Sequence, residues 1–220
     1  MLEGNQWKII ELLAEGKKTP TELAKLLKIS LPSLHKHLTH LEKENMIIKT
    51  EGKKGKTRPY TEYSLGEGFV YFIKALPGEA EQKFLVADEN LKIHLRIWSI
   101  PQKKYHYYVE MLWWELQDHL GDISSVGVYG SVARGDAKED SDIDILLLVK
   151  KDVKKYEKLF GTKLIGPKGK GEMVMAQVFE VKDFENSLKK GSKFAQEALK
   201  NIKVIYDQED TIGRLKKWKT

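Results

Sequence analysis

Residues Tyr129–Val149 read YGSVARGDAKEDSDIDILLLV, and the rest of the chain is organised around them. Val126 and Val128 belong to a short buried strand that stops at Gly130-Ser131, where a small residue lets the backbone approach a ligand closely. A helical turn follows through Val132, Ala133 and Arg134. Its leading amides point outward unpaired and carry partial positive charge, so a triphosphate can rest there with the Ser131 hydroxyl as a further donor. After the polar AKED loop, Ser141 leads into a strand whose alternation puts Asp142 and Asp144 on one face. Carboxylates at i and i+2 lie about 7 Å apart, and at an effective dielectric near 20 they repel by about 2 kcal/mol. A divalent cation between them reverses the sign. Oxygen ligands presented to phosphates suit Mg²⁺, which keeps several waters and uses one or two protein carboxylates. Alone, the pair would read as an acidic strand end facing water. Its spacing behind Gly-Ser is what makes it a site.

Gly130, Ser131, Arg134-Gly135, Ser141, Asp142 and Asp144 together resemble the signature of the minimal nucleotidyltransferases of the DNA polymerase beta-like superfamily, over roughly residues 123–207. The resemblance implies Asp142 and Asp144 as catalytic metal ligands, Gly130, Ser131 and Arg134 as nucleotide-binding residues, Mg²⁺ as the ion, and an NTP as ligand or substrate. It also implies a third carboxylate on the next strand, since in-line transfer uses two metal ions. That strand is EMVMAQVFE, Glu172–Glu180, and it places Gln177 where the acid is expected. A neutral amide ligates Mg²⁺ poorly and cannot act as a base at neutral pH. Glu172 and Glu180 fall on the opposite face of a regular strand, and only a bulge or another register would turn one of them inward.

Composition bounds the classes open to the chain. With 220 residues, 41% hydrophobic and 32% charged, it is long enough for one large or two small globular domains. The absence of cysteine excludes disulfides and thiolate metal sites. No apolar run approaches membrane-spanning length and no signal-peptide pattern opens the sequence, so no membrane partner and a cytoplasmic location are expected. The net charge is +6, and the basic excess sits at the two ends. Residues 1–65 carry 12 Lys and Arg against 8 Asp and Glu, whereas 66–120 carry 6 against 8.

Towards the N-terminus, Asn5 is expected to cap a helix with Trp7, Ile10, Leu13 and Ala14 on one face, ended by Gly16. Thr19-Pro20-Thr21-Glu22 supplies an N-cap, a Pro at N1 and a capping-box Glu at N3. A further helix starts at Ser30, with Leu34, Leu38 and Leu41 inward and Ser33, His35, Lys36, His37 and His40 outward. Two short helices joined by a tight turn, the second with a basic, hydrogen-bonding outer face, form a helix-turn-helix. Met46–Thr50 and Tyr60–Leu65 read as a hairpin around a Gly- and Lys-rich loop. The stretch ISLPSLHKHLTHLEKENMIIKTEGKKGKTRPYTEYSL resembles the recognition helix and wing of ArsR- or MarR-type regulators. By that resemblance Ser33, His35, Lys36, His37 and His40 enter the major groove, and Lys53, Lys54, Lys56 and Arg58 lie along phosphates or the adjacent minor groove. The histidines do not share one helix face, which argues against a metal site there.

The expected architecture is α+β: a winged helix-turn-helix over 1–65, a connecting region over 66–120, and a nucleotidyltransferase-like α/β domain with a small mixed sheet over 121–220. In the connecting region Phe69–Ala75 and Gln82–Val86 are expected strands around Pro77-Gly78, and Leu91–Ile100 alternates as a strand would. Pro101–Leu120 is an expected long helix with more aromatic surface than one face can bury, which suits either an interdomain core or a homodimer interface. Beyond Val149, 161–171 is expected as a basic loop between a helix and the Met173–Val181 strand. Two functions stand. One is a regulator of transcription that binds double-stranded DNA and Mg-NTP with weak or absent catalysis. The other is an active Mg²⁺-dependent nucleotidyltransferase, antitoxin-like, acting on a protein, RNA or small molecule and localised or autoregulated by its winged helix.

Overall fold

The computed structural model describes residues 2, 4–54 and 59–217. It divides into two units, 1–88 and 89–220. In the first, helix α1 (Asn5–Ala14) buries Ile9, Ile10 and Leu13. Trp7, expected inward, is exposed, and the N-cap position belongs to Gly4, because Asn5 already lies in the helix and its side chain makes no cap bond. Helix α2 (Pro20–Leu27) opens with the expected reciprocal box. Glu22 donates its amide to Thr19 Oγ1 at 3.3 Å, and Glu22 Oε2 accepts from the Thr19 amide at 2.7 Å. The Thr19 amide first, and then the Thr19 hydroxyl donating to Glu22 Oε2 at 2.8 Å, hold the Glu22 carboxyl below the usual range. The chain leaves α2 through Lys28, whose φ is +54°, and Ser30 Oγ caps helix α3 (Leu31–Lys43).

Strands β1 (Ile47–Lys54) and β2 (Pro59–Leu65) pair antiparallel, Ile47 with Leu65 through Thr50 with Glu62. Lys18 and the buried Tyr63 exchange both backbone hydrogen bonds, at 3.0 and 2.9 Å, which ties the α1–α2 link to the hairpin. A second hairpin, β3 (Phe69–Leu76) and β4 (Glu79–Val86), turns at Pro77-Gly78 as expected, with Gly78 at φ +88°.

The boundary between Asp88 and Glu89 divides the expected 66–120 region: its hairpin goes with the first unit and its helices with the second. Leu91–Ile100 is not a strand. It forms most of helix α4 (Glu89–Trp98), where Ile93 and Ile97, one turn apart, are buried. The expected single helix over 101–120 is broken. A 3-10 turn at Lys103–Tyr105 precedes helix α5 (His106–Leu116), and another at Gln117–His119 follows. Tyr105 turns into the core with no exposed surface while its hydroxyl donates to the Lys138 carbonyl at 3.1 Å.

The second unit is a mixed sheet in the order β7-β8-β6-β5-β9, with β5 (Ile123–Val128), β6 (Ile143–Val149), β7 (Thr162–Ile165), β8 (Glu172–Glu180) and β9 (Lys203–Asp207). β7 occupies part of the stretch expected to be loop, pairing Leu164 with Met173. Only β6 and β8 run parallel; the other neighbours are antiparallel. Helix α7 (Val153–Phe160) crosses over between them. Alternation along β6 sorts its residues between two cores. Ile143, Ile145, Leu147 and Val149 pack with Ile97, Tyr105, Leu112, Trp113 and Tyr156. Leu146 and Leu148 pack on the other face with residues of helices α8 (Val181–Lys189), α9 (Lys193–Lys200) and α10 (Thr211–Lys217). Helices therefore cover both faces of one sheet. Among the described residues no helix is long and apolar enough to cross a membrane.

Candidate functional site

Strand β5 ends at Val128, and Tyr129 donates its amide to the Asp144 carbonyl at 3.0 Å. The chain then enters helix α6 (Gly130–Arg134), a single turn closed by Gly135 at φ +87°. Gly130 has φ +69°, a region costly to any residue with a Cβ. Moreover, a Cβ at Gly130 would collide with the Asp144 carboxylate. Glycine is required at this position because the acid packs directly against the backbone of the turn.

Asp142, exposed, immediately precedes β6, and Asp144 is half-buried within it on the face of Leu146 and Leu148. Burial raises the Asp144 carboxyl above its ordinary value, the neighbouring Asp142 adds to the rise, and Arg134 opposes it. A half-buried carboxylate held beside a second one is an electrostatic arrangement relieved by a cation. Two carboxylates with room for water fit one Mg²⁺. Arg134 is exposed, pairs with Asp136 at 3.1 Å, and lines a cleft of about 460 Å³ with Lys200 and Lys203.

The loop that delivers Asp142 is fastened from below. Gln102 Nε2 donates to the Ala137 carbonyl at 2.8 Å, and Lys104 Nζ and the Tyr105 hydroxyl donate to that of Lys138 at 3.2 and 3.1 Å. Ser141 Oγ accepts from the Lys138 amide at 2.8 Å. Residues 102–105 thus position the carboxylates, a role with no signature in their own sequence.

The β6–β8 register runs without a shift from Ile143–Val174 to Val149–Glu180. It sets Met175 beside Asp144 and Gln177 beside Leu146, on the face of the carboxylates. No bulge brings Glu172 or Glu180 round: Glu180 pairs with Val149 at the far end, and Glu172 pairs with Ile165. Among the described residues no third acid or histidine joins Asp142 and Asp144 in a metal-holding group. Tyr129, which sequence reasoning passed over, stands at the same place. Burial and then Asp144 push its phenol up to about 12, so it remains a hydrogen-bond donor at neutral pH.

In the first unit, α3 turns Leu34, Leu38 and Leu41 inward, leaves His35, Lys36 and His40 exposed and half-buries Ser33 and His37. The side chains of Lys53, Lys54, Lys56 and Arg58 lie outside the described residues.

A helix-turn-helix with a hairpin, followed by a five-stranded mixed sheet covered by helices, is the class these two units define. Residues 4–49 match the arsR family of bacterial regulatory proteins, and residues 109–215 match the nucleotidyltransferase domain. One match falls in each unit. It is similar to the protein adenylyltransferase MntA of Thermococcus cleftensis, 54% identical over 33 residues that make up 15% of this chain and 32% of that one. Among solved structures, a mutant of Lactococcus lactis ZitR is 30% identical, with a TM-score of 0.28, over 30% of this chain and 44% of that one. The adhesin competence repressor AdcR of Streptococcus pyogenes is 32% identical, also with a TM-score of 0.28, over 30% and 48%. The chain thus spans about a third of the curated relative and under half of either regulator.

Proposed function

We propose that this protein is a DNA-binding transcriptional regulator whose second unit binds an NTP with Mg²⁺ and turns it over weakly or not at all. The observation that carries the nucleotide half is Asp144, half-buried against Gly130 with the exposed Asp142 two residues before it. Asp142 and Asp144 hold the ion; Gly130, Ser131 and Arg134 receive the phosphates. When bound, Mg²⁺ neutralises phosphate charge and polarises the phosphoryl group. The neutral Gln177 leaves the site with the carboxylates for one ion rather than two, which is why weak catalysis is the first reading.

On the DNA side, Ser33, His35, Lys36, His37 and His40 of α3 face the major groove, and the wing cations Lys53, Lys54, Lys56 and Arg58 face phosphates. Winged-helix regulators commonly read two half-sites as dimers. The exposed Tyr107, Met111 and Trp114 of α5, with Trp98 of α4, support a homodimer, and light scattering that found only monomer at micromolar concentration would remove it.

The decisive experiment is calorimetric titration of the four NTPs with and without Mg²⁺, followed by incubation with labelled NTP. Mg²⁺-dependent binding without transfer supports the regulator. A second reading, transfer of a nucleotide to a protein, draws on the stretch shared with a protein adenylyltransferase. Labelled transfer abolished by Asp142→Asn would establish it.

A further inference from the structure

On the α8–α9 side of the sheet, aromatic side chains from three elements close a circuit with the carboxylate site. Tyr129, just beyond β5, donates its amide to the Asp144 carbonyl at 3.0 Å, and its ring meets Phe194 edge-on at 5.8 Å between centroids. Phe194 reaches Phe179 of β8 at 5.8 Å. Phe179 is two residues from Gln177 on the same face of the strand, and Gln177 returns to β6 beside Leu146, two residues from Asp144. The placement of Phe194 follows from its helix: Ser192 Oγ caps α9, and the buried Ala195, Ala198 and Leu199 fix the face turned to the sheet. Phe194 is left at the rim with 37% of its surface exposed, and Gln177 is exposed as well.

We propose that the exposed face of Phe194 and the amide of Gln177 form the nucleobase subsite of the nucleotide held at Asp142 and Asp144. Phe194 stacks on the base, and Gln177, at the position where a third acid was expected, reads its edge. The inference rests on the NTP reading above and adds the determinant of base choice. Geometry supports it, because Phe194 stands one aromatic ring beyond Tyr129, whose amide is bonded to the Asp144 carbonyl. Chemistry supports it too. An amide offers a donor and an acceptor where a carboxylate offers only acceptors, and a base held between an aromatic ring and a hydrogen-bonding side chain is a recurrent mode of recognition.

The test compares Mg²⁺-dependent binding of ATP, GTP, CTP and UTP with that of inorganic triphosphate, by calorimetry on the full chain. Phe194→Leu keeps apolar packing against Tyr129 and Phe179 but removes the ring face. It should weaken the NTPs about 5- to 150-fold, the range of base–aromatic stacking, and leave inorganic triphosphate unchanged. Phe194→Trp should bind NTPs at least as tightly as the wild type, which separates stacking from disturbed folding. Gln177→Ala should change the rank order of the four bases. An equal loss of NTP and triphosphate binding in Phe194→Leu, or no loss of either, would overturn the subsite while leaving the NTP reading intact. No Mg²⁺-dependent binding of NTP or triphosphate by the wild type would overturn both.

Discussion

Replacing Asp144 by Asn tests whether the carboxylate pair is built for a cation rather than for stability. The two carboxylates, at i and i+2, lie about 7 Å apart and repel by about 2 kcal/mol at an effective dielectric near 20. Asp142 is exposed, so solvent and salt reduce this to about 1 kcal/mol. The Asn variant should therefore be more stable in EDTA at pH 7, melting about 2–8 °C higher for each kcal/mol. The sign of the pH dependence follows from the raised Asp144 carboxyl. Between its unfolded and folded values the native state holds more protons than the unfolded one, so stability falls as pH rises through that window and stays low above it. The advantage of the variant should be full at neutral pH and close once the pH drops below the ordinary aspartate range. With Mg²⁺ and nucleotide at about 100 times Kd, the wild type should gain about 2.7 kcal/mol by linkage and the variant none. Thermal unfolding monitored by calorimetry, with EDTA or with Mg-NTP from pH 3 to 8, reads all of this. A variant less stable than the wild type in EDTA, with a gap that does not close in acid, would refute the argument.

Gly130→Ala should cost about 1–2 kcal/mol for the left-handed backbone alone, and more for the collision with Asp144; urea unfolding together with Mg-NTP titration should show both stability and binding lost. Gln177→Glu places an acid on the face of Asp144. If Gln177 reads the base, the acid should leave Mg²⁺-dependent binding of inorganic triphosphate unchanged in titration calorimetry; a rise would mean that position 177 reaches the ion instead of the base. Tyr105→Phe removes the hydroxyl bond to the Lys138 carbonyl. It should cost about 1 kcal/mol, with faster amide exchange confined to 137–141. Lys36→Ala should lower the log–log salt slope of DNA binding by about 0.9 if that side chain meets a phosphate, and an unchanged slope in a filter-binding series would take Lys36 off the interface.

The parts of the structure legible in the sequence are those encoded by short spacings. Thr19 and Glu22 are three residues apart and meet in the cap. Leu34, Leu38 and Leu41 share a face because a helix repeats every 3.6 residues. Asp144, Leu146 and Leu148 share one because a strand repeats every two. The same rule misleads at Leu91–Ile100. Leu91, Ile93, Leu95 and Ile97 alternate as a strand would, yet Ile93 and Ile97 also stand one helical turn apart, and that pair is the one buried. Period two and period four coincide there, and packing within the second unit decides between them.

The remainder of the site was hidden because its residues converge from distant segments. Gln102 and Tyr105 reach a loop more than thirty positions away, and Tyr129, Phe179 and Phe194 meet only after three elements pack on one side of the sheet. Glycine at 130 is also explained differently by the fold than by the sequence. Its lack of a side chain was expected to admit a ligand, and in the fold it also leaves room for the Asp144 carboxylate. Burying part of a carboxylate beside another one is unfavourable by itself. An acidic strand end selected only for solubility would leave both acids in water. Holding one half-buried against a glycine turn, with the continuation of β8 neutral, instead suits one divalent ion and an organic group beside it.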